Sequence, residues 1–399
     1  MTGLMRGLMT GLMTGLMHGA LRMARSPAWL AVLVFAAVAA LAGAAEAYPQ
    51  FQLSRDRTCT GCHISPAGGN LLNENGESTS ETIAMIDHPG AFLYGALPLP
   101  SWLTLGGDLR GSTGYIQTPE KVLATFPMQI EAYANVRLPV GFSIQVHGGT
   151  RPPTMENAAT PGKNFLWSRE HYLMWRTSPG TPTGLFVRAG RFMPVFGLRY
   201  AEHPMYTRRF GGTPLWGETY GGAVELVMES IEVHATGFIE DPLIEPVRHA
   251  KGGALYAELR VTDSFSIGGG GMLEIGEDDQ KRRGTVTVKK YLSGPDLLFQ
   301  AEVQVMNQRI DPIGAPVQLI GNLVMSRNLS GGFLLDVGIG HFDTNIRIRD
   351  LDRDALDVNL HWFTTSHIEL IFNGRFEMLA FGKGGDSHAY ALLQAHYRL

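Results

Sequence analysis

The chain has 399 residues, a formal net charge of −4 and two cysteines. A mildly acidic balance without a basic stripe leaves no nucleic-acid footprint, and two thiols exclude a disulfide-stapled scaffold. Hydrophobic residues make up 44% of the chain, yet beyond Ala47 no apolar run is long enough to cross a bilayer as a helix.

The first residues, Met1 to about Met17, repeat Gly-Leu-Met with Thr and His between, a low-complexity stretch with no fold of its own. Met17 and Met23 are alternative starts. Arg22 and Arg25 then make a basic lead into the apolar run Ala28 to Ala42, and Ala45-Glu46-Ala47 is a small-x-small cleavage site. Residues 1–47 therefore read as a low-complexity start and an export signal, with the mature chain beginning at Tyr48. The competing reading is an uncleaved anchor, but the run is short for a span and ends in small residues.

Both cysteines fall in Cys59-Thr60-Gly61-Cys62-His63. The pattern is C-x-x-C-H, the attachment site of a c-type haem. Two thiols three residues apart can each bond one vinyl group of the porphyrin, and the following His ligates the iron. A dithiol redox site would use C-x-x-C at a helix start in a βαβ context, which is not visible here. A disulfide closing so short a loop removes little chain freedom. A zinc site would have to recruit distant ligands. Residues 64–73, Ile-Ser-Pro-Ala-Gly-Gly-Asn-Leu-Leu-Asn, resemble the turn after C-x-x-C-H in some small cytochromes c, where Pro66 fixes its own backbone and Gly68 and Gly69 let the chain pass close to a flat ring. The resemblance implies one haem c, bonded through Cys59 and Cys62, with His63 as axial iron ligand.

The remainder of 48–100 shows little regular structure. A polar run, Glu74 to Thr82, precedes Ile83-Ala84-Met85-Ile86-Asp87-His88-Pro89. An electron-transfer haem commonly takes a second protein ligand, Met or His, and Met85 and His88 are the candidates. Their bland readings are a core methionine and a turn residue before proline. Leu97-Pro98-Leu99-Pro100 reads as an extended linker.

From Ser101 to Leu399 the pattern changes to a period of two. Met128, Ile130, Ala132, Ala134 and Val136 interleave with Gln129, Glu131, Tyr133, Asn135 and Arg137. The same holds for Ile231, Val233 and Ala235 against Glu232, His234 and Thr236, for Leu356, Val358, Leu360 and Trp362 against Asp357, Asn359 and His361, and for Ile368, Leu370 and Phe372 against Glu369 and Asn373. About 16 runs of roughly 10 to 14 residues recur, long for a soluble sheet and suited to a tilted bilayer crossing. Short connections (139–141, 262–264, 293–295, 329–331, 364–366) alternate with longer ones (150–165, 194–217, 241–251, 307–315). The fold class is all-β: a transmembrane antiparallel β-barrel of about 16 strands over 101–399, behind an N-terminal haem-binding segment of little regular structure. A soluble sandwich also alternates, but seldom with strands so long or an apolar face so free of charge. The inward face is expected to carry Glu131, Arg137, Glu225, Glu258, Arg260, Glu302, Gln304, Asp357 and Glu369. The last strand, with Ala391, Leu393, Ala395, Tyr397 and Leu399 on one face, resembles the terminal strand of bacterial outer-membrane proteins, with Leu399 where those usually end in Phe or Trp.

The longest connection, 194–217, follows the fifth run and holds Arg199, His203, Arg208, Arg209 and Trp216. In general porins the loop at this ordinal place folds into the lumen. That topological resemblance implies Arg199, Arg208 and Arg209 at a constriction, against the plain reading of a solvated outer loop.

Joined in one chain, the two halves resemble the porin–cytochrome conduits of outer membranes. The resemblance implies an electron-transfer protein carrying one haem on an outer-membrane barrel, periplasmic or within the lumen. It also implies outer-membrane lipid around it, a cytochrome or small redox shuttle as partner, and a homotrimer. Those conduits use many haems in series, so one haem needs a partner to cross a hydrocarbon core about 30 Å thick. The alternative is a porin or uptake channel in which the segment is a plug or sensor. A peroxidase-type enzyme lacks a distal Arg/His pair near the motif.

Overall fold

The computed structural model describes residues 58–399, apart from 70, 119, 151–165, 203, 243–249, 278, 311–313, 349 and 381–385. The export signal and His203 thus lie outside the described residues. Sixteen strands follow one another: β1 (Leu103–Thr118), β2 (Glu120–Arg137), β3 (Phe142–Thr150), β4 (Leu166–Arg176), β5 (Gly184–Phe192), β6 (Thr219–Val227), β7 (Ile231–Phe238), β8 (Lys251–Thr262), β9 (Phe265–Ile275), β10 (Asp279–Leu292), β11 (Leu297–Ile310), β12 (Val317–Leu329), β13 (Phe333–Asp343), β14 (Asp352–Phe363), β15 (Ile368–Leu379) and β16 (Ser387–Arg398). Each pairs antiparallel with its neighbours in sequence, and β1 pairs with β16 from Asp108 opposite Arg398 to Gln117 opposite Ala389. Closure leaves no open sheet edge whose amides would need water as a partner.

The faces decide the solvent. Ile130, Val146, Val224, Leu255, Val286, Val303 and Phe372 are exposed on the outside, while Glu131, Glu225, Glu258, Arg260, Glu302, Gln304, Asp357 and Glu369 are buried inside. In water this arrangement would hide ions and display aliphatic surface, with a penalty of several kcal/mol per buried ion. With lipid outside and a polar lumen the conflict disappears. Arg137, expected inward, lies exposed at its strand's end.

Boundaries differ from the sequence expectation in two places: β11 runs on to Ile310, into the connection expected at 307–315, and the first hairpin is longer. Residues 117–125, left between the first two runs, continue as β1 and β2, so their connection is a tight hairpin. Alternation fails there because Pro127 stands opposite Gly111 at a register shift between Arg110 and Gly111. Proline offers no amide to the ladder, and a bulge accommodates it. At the closing seam the Leu399 amide donates to the Gly107 carbonyl at 2.8 Å, and a side chain at 107 would meet Leu399 Cδ1 at 2.9 Å.

Ahead of the barrel lie two short helices, α1 (Cys59–Cys62) and α2 (Glu74–Ile83). The polar run is therefore helical. Asn73 caps it, its side chain accepting from the Gly76 amide at 3.0 Å, which satisfies one of the amides a helix start leaves open. A third helix, α3 (Tyr206–Arg209), belongs to the β5–β6 connection.

Candidate functional site in the barrel lumen

Ile64 and Leu71 form one buried cluster with Tyr133, Tyr172, Met174, Phe186, Phe192, Ala223 and Val227. All seven barrel residues share the strand face of the buried carboxylates, so the segment after the motif packs against the inner wall of β2 and β4–β6. Within α1, positions 59 and 62 are one turn apart and share a face. The two sulfurs are not joined to each other. The His63 amide closes the turn on the Cys59 carbonyl at 2.9 Å, and His63 itself is extended.

The turn is held from two sides. Asn73 Nδ2 donates to the carbonyls of Thr60 and Gly61 at 2.9 and 3.1 Å, and Asn75 Nδ2 donates to Gly61 at 3.0 Å. The Asn73 amide donates to the Cys62 carbonyl at 2.9 Å. On the other side the Thr60 hydroxyl donates to the Pro182 carbonyl in the β4–β5 turn. Gly68 and Gly69 both take positive φ, 74° and 99°, and a side chain on Gly68 would stand 3.8 Å from the Cys59 sulfur and 4.0 Å from the His63 ring. Burial pushes the His63 imidazole down to about 4, so at neutral pH the ring is uncharged, the form that ligates metal. Its Nδ1 is buried without a hydrogen-bond partner. Burial raises the Cys59 thiol, opposed by the Arg199 charge.

That arginine comes from the β5–β6 connection, which crosses the lumen. Phe196 packs with Phe238, Ala254 and Met272, and Leu198, Tyr200 and Met205 pack with Val324. The Leu198 amide donates to Glu302 Oε2 at 3.1 Å, and Gly212 donates to Gln304 Oε1 at 3.3 Å. Phe210 stacks on Phe342 at 4.3 Å. The loop thus leaves the wall at β5 and rests on β7–β9 and β11–β13.

Its three arginines go to three places. Arg199 NH2 donates to Cys59 Sγ at 3.1 Å and NH1 to the Ala67 carbonyl, so it grips the motif segment. Arg208 is pushed down to about 10 by burial, and its Nε has no partner. Arg209, with its side chain 50% exposed, faces Glu377 of β15 at 3.8 Å. Met85 and His88 lie beyond α2. Met85 is 56% exposed, and its amide donates to the Phe363 carbonyl at 2.8 Å. His88 meets Tyr94 edge-on at 5.7 Å. The chain around them docks on the β14–β15 turn, where His367 Nε2 lies 3.0 Å from the Pro89 carbonyl. The structure therefore brings Cys59, Cys62, His63 and Arg199 together and sets Met85 and His88 in another sector.

Sequence reasoning missed Asn73, Asn75 and Pro182 as supports of the motif. A signal for the first was present: an Asn before a polar run is the common mark of a helix start.

Around the inner wall runs a chain of acids and imidazoles. His147 Nε2 lies 2.9 Å from Glu131 Oε2, which accepts from the Tyr133 hydroxyl at 3.0 Å. Asp108 lies within reach of the same hydroxyl, whose single proton the two carboxylates share. His396 bridges Asp108 at 2.6 Å and Glu369 at 2.9 Å, and His361 Nδ1 meets Glu369 at 2.8 Å. On β5 and β6, Arg188 and Glu225 form a bidentate pair with both bonds 2.8 Å.

No protein-family model and no curated protein matches this sequence. Solved structures do resemble it. OmpT of Vibrio cholerae, an outer membrane protein folded in vitro and in its trimer form, aligns over 74% of this chain and 99% of its own with 12% identity and a TM-score of 0.57. OprB of Pseudomonas putida aligns over 74% and 94% with 11% identity and a TM-score of 0.57. An anion-selective porin from Comamonas acidovorans aligns over 74% and 99% with 12% identity and a TM-score of 0.54. At such identities the likeness establishes the fold: a closed 16-strand barrel of the porin-like, outer-membrane type.

Proposed function

We propose that this chain is an outer-membrane barrel of the porin type, residues 101–399, whose N-terminal segment, 48–100, carries one c-type haem and passes electrons. The barrel part has the broader support, since the similar structures include porins. The electron-transfer part rests on the observation that the C-x-x-C-H turn is packed against the inner wall and gripped by the lumen loop through Arg199.

The residues suit that cofactor. Two unjoined thiols one helical turn apart, an uncharged imidazole beside them and a glycine rather than a side chain facing both are the donor set and clearance a porphyrin edge requires. Cys59 and Cys62 would hold the group and His63 would ligate its iron. A haem held this way supplies one-electron chemistry. Asn73, Asn75 and Arg199 fix the turn. Met85 or His88 would be the further residue to hold the iron, and the chain around them docks on the β14–β15 turn. A cytochrome or redox shuttle on either side of the outer membrane completes the path, and the trimer form of the Vibrio protein motivates a homotrimer.

The second reading, a channel with the segment as plug or sensor, is favoured by the anion-selective porin among the similar structures. A pyridine haemochrome assay on membranes tests the first reading. Colour in the wild type that is lost in Cys62→Ala supports it, and colourless wild-type protein from a haem-competent host ends it. Planar-bilayer recording tests the second: a large steady conductance from the full chain marks an open channel, and a closed record marks a conduit.

A further inference from the structure

A further place where the lumen loop meets the wall is Glu202, which reaches Asp336 on β13 and His361 on β14. One ligand-type atom from each of the three lies within 4.8 Å of the others. Asp336 and His361 are buried and Glu202 is half-buried.

Two contacts of His361 differ in kind. Its Nδ1 is 2.8 Å from Glu369 Oε1, a full hydrogen bond to a carboxylate that fixes the ring's orientation. Its Nε2 is 3.4 Å from Asp336 Oδ2. A charge-assisted hydrogen bond draws N and O to about 2.7–2.9 Å, so the second contact is long for a shared proton. It is the separation expected of two ligands on one ion, because bonds of about 2.1 Å at a tetrahedral angle place their ends about 3.4 Å apart. The pattern of ligand imidazole, opposite nitrogen and outer carboxylate is also how proteins orient a metal-binding histidine.

We propose that Glu202, Asp336 and His361 form a binding site for a borderline first-row divalent cation of the zinc type, with Glu369 as the orienting partner. One imidazole nitrogen and two carboxylate oxygens suit such an ion better than magnesium or calcium, which prefer oxygen alone. The ligands come from the loop and from two wall strands, so the bound ion clamps the lumen loop to β13 and β14. The site shares no residue with the C-x-x-C-H turn.

The test is calorimetric titration of zinc chloride into the full chain in detergent after chelator treatment, with magnesium chloride as comparison. One equivalent of zinc is expected in the wild type, with affinity at least tenfold weaker in Glu202→Gln and lost in His361→Ala, and no heat from magnesium. Because the thirteen histidines offer adventitious sites, the difference between variants carries the result. Glu202→Gln, on the loop, serves if the wall variant does not fold. Absence of zinc binding in the wild type, binding undiminished in both variants, or magnesium binding as tightly as zinc overturns the proposal.

Discussion

Gly76→Ala is the sharpest test of how the motif is held, because two effects of opposite sign compete. In an isolated helix, alanine in place of glycine stabilises by about 1 kcal/mol. Here a Cβ at 76 would lie 2.2 Å from the Cys62 carbonyl oxygen and 3.0 Å from Leu72 Cβ. Restoring ordinary contact moves α2 away from the motif by about 1 Å. Overpacking of that kind costs about 1–3 kcal/mol. The shift also strains the Asn73 cap on the Gly76 amide and the Asn73 bond to the Cys62 carbonyl, each worth about 1 kcal/mol. The balance is roughly 2–4 kcal/mol against the alanine, confined to the segment, since the barrel ladder is untouched. Gly294→Ala is the control, with no atom within 4 Å of the added carbon. Limited proteolysis of the folded chain in detergent reads the local effect. At about 1.4 kcal/mol per tenfold, Gly76→Ala opens the 58–100 segment to cleavage some thirtyfold more often or beyond, while Gly294→Ala leaves the rate alone. A cleavage rate in Gly76→Ala equal to or below wild type, with the barrel intact, would refute the packing argument.

Other consequences follow from the lumen wall and loop. Arg188→Met leaves Glu225 buried without its bidentate partner and should cost about 3–5 kcal/mol in thermal unfolding, with most of it recovered in Arg188→Met/Glu225→Leu; an unchanged midpoint in the single variant contradicts this. Arg209→Ala removes a half-exposed charge 3.8 Å from Glu377 and should leave the unfolding midpoint alone while any residual conductance becomes more cation-selective, read as a reversal-potential shift under a salt gradient. Conductance with an unmoved reversal potential would separate Arg209 from the ion path. Glu77 in α2 is pushed above its ordinary value by burial, then by Glu74 and Glu81. A raised carboxyl favours the folded segment while protonated, so segment stability falls as pH rises from the ordinary value through the raised one. Glu77→Gln should flatten that fall, as followed by proteolysis between pH 4 and 7, and an identical profile in the variant removes Glu77 as its source.

Much of the barrel was legible because a two-residue period writes the face of every strand directly into the chain. Glu131, Glu225 and Glu369 were placed inside on that ground alone, and they are buried. Boundaries were legible where turns interrupt the period and illegible at 117–125, where Pro127 and the extra Met128 break alternation without ending the strand. The pentapeptide 59–63 stands out in the sequence by its spacing, and the structure sets its two cysteines one helical turn apart. Its supports were not legible, since Asn73 and Pro182 reach it by hydrogen bonds that leave no periodic trace.

Arg199 shows why pairing across the lumen escapes a linear reading. Charge and loop position single it out together with Arg208 and Arg209, and nothing in the sequence separates the three. They diverge because the loop is bound at several points: Leu198 to Glu302, Gly212 to Gln304 and Phe210 to Phe342. Those anchors fix the path of the backbone, and the path aims one guanidinium at the Cys59 sulfur, leaves the second partly buried and the third half in solvent. The anchors lie on β11 and β13, about a hundred residues or more from the loop. The role of each arginine is therefore set by long-range contacts rather than by its neighbours in the chain. Loosening an anchor, as in Phe342→Ala, should disturb the Arg199 contact without touching either partner.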